Sequence, residues 1–89
     1  MPARVVMYFL GPGRAPAIEF AVKQLFKEVS EPWYVAIIGS QGNPSRWRMT
    51  VGTPDGQRTT RDLIGEDGKQ ELEYIGATLE TALAGWQRR

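Results

Sequence analysis

Four residues stand out for the chemistry they offer: Arg46, Arg48, Arg58 and Thr60. On adjacent β-strands they would share one sheet face, where guanidinium groups contact phosphates and a hydroxyl adds a further hydrogen bond. The competing reading is a solvated face carrying an Arg48–Asp62 cross-strand pair. Glu66, Asp67, Glu71 and Glu73 form an acidic cluster. Paired carboxylates can relay protons or hold a hard cation. Here capping and helix-dipole compensation explain them more simply. Gly11-Pro12-Gly13-Arg14 offers backbone N–H groups and a charge to an anion. Its spacing matches no phosphate-loop or dinucleotide fingerprint, so a plain turn is expected. Phe20 projects between Lys23 and Lys27, where it could anchor a contact or stack on a base. Cover by an N-terminal strand is preferred for it, because a large ring is rarely left bare.

What the chain lacks narrows the field. Among 89 residues there is no cysteine and no histidine. Disulfides, thiolate nucleophiles, Ser-His-Asp triads and the common transition-metal sites are therefore excluded. No motif names a cofactor or a reaction, and no enzymatic activity is expected. The formal charge of +1 argues against strong non-specific attraction to nucleic acid, but leaves room for a local basic face. The longest apolar runs, at Val5–Leu10 and Trp33–Ile38, are too short to cross a bilayer. A soluble, cytoplasmic protein forming one α+β domain over residues 1–89 is expected.

The elements that must position these residues follow from periodicity. Arg4–Leu10 carries Val, Met, Tyr and Phe in an unbroken apolar run, suited to a buried strand or to an edge strand covered by a second subunit. Pro16 to about Ser30 reads as a helix with Ile18, Val22, Leu25 and Val29 on one stripe, and Pro32 stops it. Trp33–Gly39 is apolar throughout, hence a central strand. Ser40–Ser45 reads as a loop. Arg46–Val51 alternates, with Trp47, Met49 and Val51 on one face and Arg46, Arg48 and Thr50 on the other. A turn at Thr53-Pro54-Asp55-Gly56 leads into a polar strand over Gln57–Leu63. If Thr53 pairs with Gln57, Arg48 faces Asp62, Thr50 faces Thr60 and Trp47 faces Leu63. That register sets Arg61 beside Met49 on the core side, where it must lie at the rim or be shifted by a bulge. Asp67 and Gln70 resemble a capping box opening a second helix to about Trp86, with Leu72, Ile75, Leu79, Leu83 and Trp86 on its stripe.

The order helix–strand–strand–strand–helix resembles the double-stranded RNA-binding domain. Pro32-Trp33-Tyr34, Gly42, and Trp47, Met49 and Val51 carry the likeness, which covers about Pro16 to Trp86. The resemblance implies a three-stranded antiparallel sheet with two helices on one face. It also implies RNA contacts from helix one, a loop histidine and a lysine-rich start to helix two. Here the loop is Ser40-Gln41-Gly42-Asn43-Pro44-Ser45 and only Lys69 stands among acids at the second helix, which would repel a phosphate backbone. The three-stranded face is also similar to the arm-binding domain of phage integrases and to plant ethylene-response-factor domains, which place such a face in the DNA major groove.

The expectation is thus an α+β fold, α-β-β-β-α plus an N-terminal strand, forming a small binding module. Nucleic acid on Arg46, Arg48, Arg58 and Thr60 is the leading partner. The alternative is a protein-binding or self-associating module, such as a small regulator or a mobile-element inhibitor. Homodimer or partner contacts are expected from Val6, Tyr8, Leu10 and Phe20.

Overall fold

The structure, a computed structural model, describes residues 3–11 and 13–87. In chain order the elements are β1 (Ala3–Tyr8), α1 (Arg14–Leu25), β2 (Trp33–Ser40), β3 (Asn43–Gly52), β4 (Arg58–Ile64), a 3-10 turn at Gly65–Asp67, and α2 (Leu72–Gln87). The sheet order is β1-β2-β3-β4. β1 runs parallel to β2, and α1 is the crossover that such a pairing requires. β2–β3–β4 form an antiparallel meander. The fold class is therefore α+β with a four-stranded mixed sheet.

Strand alternation decides the layers. Trp33, Val35 and Ile37 of β2, Trp47, Met49 and Val51 of β3, and Leu63 of β4 are buried on one face. Ile18 and Val22 of α1 and Ile75, Leu79 and Leu83 of α2 join them in one core cluster. Both helices thus cover the same side of the sheet, and its other side lies open. The register expected from the turn is present: Thr53 N–H donates to the Gln57 carbonyl at 2.8 Å, and Arg48, Thr50 and Trp47 face Asp62, Thr60 and Leu63. Arg61 faces Met49 with the register unbroken; it stays exposed beside Thr78 and Thr81 of α2, so no bulge is needed.

Several expectations are corrected. α1 ends at Leu25 rather than Ser30, because the chain tightens at Phe26 and drives that ring into the core, 5.5 Å from Trp33. The loop expected over Ser40–Ser45 shrinks to Gln41-Gly42, since β3 already begins at Asn43. The capping box does not form. Gly68, at φ 73, ends the 3-10 turn, and Gln70 is buried instead, donating to the carbonyls of Leu63 at 3.2 Å and Pro44 at 3.3 Å. Leu72 falls off the core stripe and is 46% exposed.

One junction is unusual. Phe9 adopts φ 59, a left-handed conformation that a bulky residue takes only at a cost. The kink turns Leu10 into the core, 5% exposed, and lays the Phe9 carbonyl over Gly39. A Cβ at Gly39 would overlap that carbonyl oxygen, so only glycine fits there. Arg14, just beyond, places its guanidinium 4.8 Å from the Trp47 ring centroid and donates to the Gln70 carbonyl at 2.9 Å. Its charge therefore ties α1 to β3 and to the approach of α2, so Arg14 serves the fold; Pro12 of the expected Gly11–Arg14 turn lies outside the described residues.

Candidate functional site

The open face is laid out in rows that cross the strands. One row is Arg4, Tyr34, Gly52 and Arg58; the middle row is Val6, Ala36, Thr50 and Thr60; the third is Tyr8, Ile38, Arg48 and Asp62. Arg46 follows Arg48 two residues away on the same face, opposite Ile64. All four expected residues, Arg46, Arg48, Arg58 and Thr60, are thus brought to one surface by the alternation of β3 and β4.

Their local partners differ. Arg48 Nε lies 3.4 Å from Asp62 Oδ1, an exposed pair of the kind worth little to stability. The Arg58 guanidinium lies 4.5 Å from the centroid of the Tyr34 ring. Thr50 and Thr60 share a hydroxyl hydrogen bond of 3.1 Å. Arg46 makes no ion pair or hydrogen bond through its side chain with the other described residues and lines a depression of about 260 Å³ with Ile38, Ser40, Arg48 and Asp62. This hollow opens where the β2–β3 register shifts between Gly39 and Ser40.

Aromatic and apolar side chains complete the face. Tyr8 and Phe9 are each 57% exposed with ring centroids 6.3 Å apart, and Ile38 is 43% exposed beside Tyr8. The sequence reading marks Tyr34 only as part of the family likeness, not as a face residue, and does not single out Arg4, Phe9 or Ile38. For Tyr34 and Ile38 the signal was available: they alternate with the core residues Val35 and Ile37 and so must face outward. For Phe9 there was none, because its left-handed turn leaves no mark on residue type.

Charge is distributed unevenly. The open face carries four arginines (Arg4, Arg46, Arg48 and Arg58) against Asp62, while the remaining seven basic residues of the chain stand against nine acidic ones. The sheet face is therefore basic and the rest of the molecule slightly acidic. Glu66, Asp67, Glu71 and Glu73 fall around the 3-10 turn and the start of α2, away from the open face. No group of carboxylates that could hold a metal ion occurs among the described residues.

One expected contact residue, Leu10, is corrected, and so is the expected cover of Phe20. Leu10 is a core residue and cannot contact a partner. Phe20 is not covered by β1: it sits on the outer surface of α1, 65% exposed, because β1 lies in the sheet beneath the opposite side of the helix. Val6 and Tyr8 remain at the surface, on the open face of β1. Among the described residues no helix is long and apolar enough to cross a membrane.

Compared with known proteins, the chain matches no family model, no curated protein and no solved structure.

Proposed function

We propose that this chain is a non-enzymatic binding module whose open sheet face takes single-stranded nucleic acid. The observation that carries the reading is the concentration of four arginines and the rings of Tyr8 and Tyr34 on the one sheet face that no helix covers, with the exposed Phe9 ring next to Tyr8. Arginines follow a phosphate backbone, and exposed rings stack on bases whatever their sequence.

The width of the face favours a single strand over a duplex. Four strands at roughly 4.8 Å spacing span about 14 Å between the outer backbones. A B-DNA major groove is about 12 Å wide and admits a helix or a two-stranded ribbon. The full face is too broad to enter it, which weighs against the groove-binding mode of the integrase and ethylene-response-factor domains. Duplex RNA binding through the second helix is disfavoured by the acids at its start.

A second reading has its own support. The exposed cluster of Tyr8, Phe9 and Ile38 suits a protein contact, since interface centres are enriched in aromatic residues and depleted of charge.

Fluorescence anisotropy with labelled oligo-dT and oligo-U distinguishes them. Each neutralised phosphate contributes about −0.7 to the slope of log K against log salt for single strands. Four arginines give a slope near −3, or about fifty-fold weaker binding at 200 mM than at 50 mM salt. Arg46→Ala with Arg48→Ala should lower the slope by about 1.4 for every sequence tested. No binding at low salt, or an unchanged slope in the double variant, removes the nucleic-acid reading and leaves the protein partner.

A further inference from the structure

The sheet has two edges, and they are built differently. β4 presents Arg58, Thr59, Thr60, Arg61 and Asp62, all exposed and mostly charged or hydroxylated. Such residues guard an edge against pairing with another chain. β1 has no such guard. Val5, Val6 and Met7 are half-buried, Tyr8 is exposed, and Arg4 is the strand's single charge. Its inner backbone edge pairs with β2, and its outer edge pairs with no strand among the described residues.

We propose that the chain forms a two-fold dimer in which β1 pairs antiparallel with β1 of a second copy, centred on Val6. β1 runs from Ala3 to Tyr8, where the left-handed turn at Phe9 ends it. Opposed residues must share a sheet face, so the axis passes through a residue; Val5 and Val6 allow overlaps of equal length, and side-chain pairing decides for Val6. In that register Val6 faces its own counterpart and Val5 faces Met7 of the second copy, so apolar side chains meet on both faces of the sheet. Arg4 faces Tyr8 of the second copy, and by symmetry Tyr8 faces Arg4. A guanidinium over a tyrosine ring is a favourable pair, and the chain already makes one on this face between Arg58 and Tyr34 at 4.5 Å. Centring on Val5 gives an equal overlap but sets Arg4 opposite Val6 and leaves Tyr8 outside the pairing, and centring on Met7 shortens the overlap.

The two-fold axis stands perpendicular to the sheet. Both open faces then lie on the same side, and the result is one eight-stranded surface with helices behind it. The guarded β4 edges end the sheet on both sides, so growth stops at two copies. A pairing this short buries less than the standard interface of about 1,600 Å², so the dimer is weak and depends on concentration.

The inference is independent of the nucleic-acid reading and is tested without nucleic acid. The chain has no cysteine, so Val6→Cys introduces a lone thiol whose symmetry mate lies directly opposite across the axis. Directly opposed Cβ atoms in an antiparallel pair are roughly 4.5–5.5 Å apart, close to what a disulfide spans. Mild oxidation should link Val6→Cys into dimers on a non-reducing gel. Thr60→Cys, on the same face of β4, should stay monomeric. Sedimentation equilibrium of the cysteine-free chain should show monomer and dimer in exchange. Tyr8→Arg, which sets like charges together, should weaken association at least tenfold, while Tyr8→Glu, which sets a carboxylate opposite Arg4, should retain it. A cysteine-free chain that stays monomeric up to about 1 mM overturns the proposal. So does equal cross-linking of the two cysteine variants, or equal loss of association in Tyr8→Arg and Tyr8→Glu.

Discussion

Replacing Gly39 by alanine adds one methyl group, and its cost is set by what that methyl group meets. Its Cβ would overlap the Phe9 carbonyl oxygen and lie 2.8 Å from the Phe9 carbonyl carbon and 3.3 Å from Trp47 Cδ1. Two of these atoms are backbone, so no rotamer change relieves the overlap. Either β2 moves away from the Phe9 segment or the left-handed turn at Phe9 opens. Overpacking of this kind costs about 1–3 kcal/mol. Opening the turn also withdraws Leu10 from the core, which forfeits up to about 2–3 kcal/mol of apolar burial. Against this, alanine restricts the unfolded chain and returns about 0.4–1 kcal/mol. The balance is a loss of about 2–4 kcal/mol, a large part of the stability of a small domain. Urea unfolding followed by tryptophan fluorescence measures it directly. The mechanism has its own signature: if Gly39→Ala acts by displacing Leu10, combining it with Leu10→Ala should cost clearly less than the sum of the two. A loss below about 1 kcal/mol for Gly39→Ala would refute the close approach, and strict additivity would refute the route through Leu10.

Two further changes probe neighbouring features. Phe9→Gly removes a left-handed strain of about 1–2 kcal/mol together with an exposed ring, so melting should be unchanged or higher while oligonucleotide affinity falls. A clear drop in melting temperature by calorimetry would show that the ring supports the fold rather than the face. Gln70→Ala leaves the Leu63 and Pro44 carbonyls without their donor and should cost about 1–3 kcal/mol in urea unfolding. A neutral result would mean that water replaces the amide there.

The parts of this fold that could be read in the sequence are those governed by a simple period. Two-residue alternation in Arg46–Val51, with the turn at Thr53–Gly56, was enough to set the β3–β4 register and to bring Arg46, Arg48, Arg58 and Thr60 to one face. The misreadings arose where a side chain answers to a distant group. Gln70 has the spacing of a capping residue, yet it serves carbonyls of β4 and of the start of β3, which no local pattern reveals. Phe26 continues the helical spacing, yet it caps α1 and packs against Trp33 of β2, a contact no local pattern reveals. The placement of β1 beside β2 and parallel to it was likewise not readable, because its apolar run fits a central strand, an edge or a subunit boundary equally well.

The parallel placement of β1 has a consequence for how the chain assembles in time. β2, β3 and β4 are joined by Gln41-Gly42 and by the turn from Thr53 to Gln57, so their pairing closes only short loops. β1 reaches β2 only after residues 9–32 have been drawn into a closed loop that carries α1, and that closure costs entropy before any ladder bond repays it. The meander is therefore the part that forms early. β1 is then expected to dock late and to leave first when the molecule opens, with Arg14 on Trp47 helping to hold α1 against β3 once it has docked.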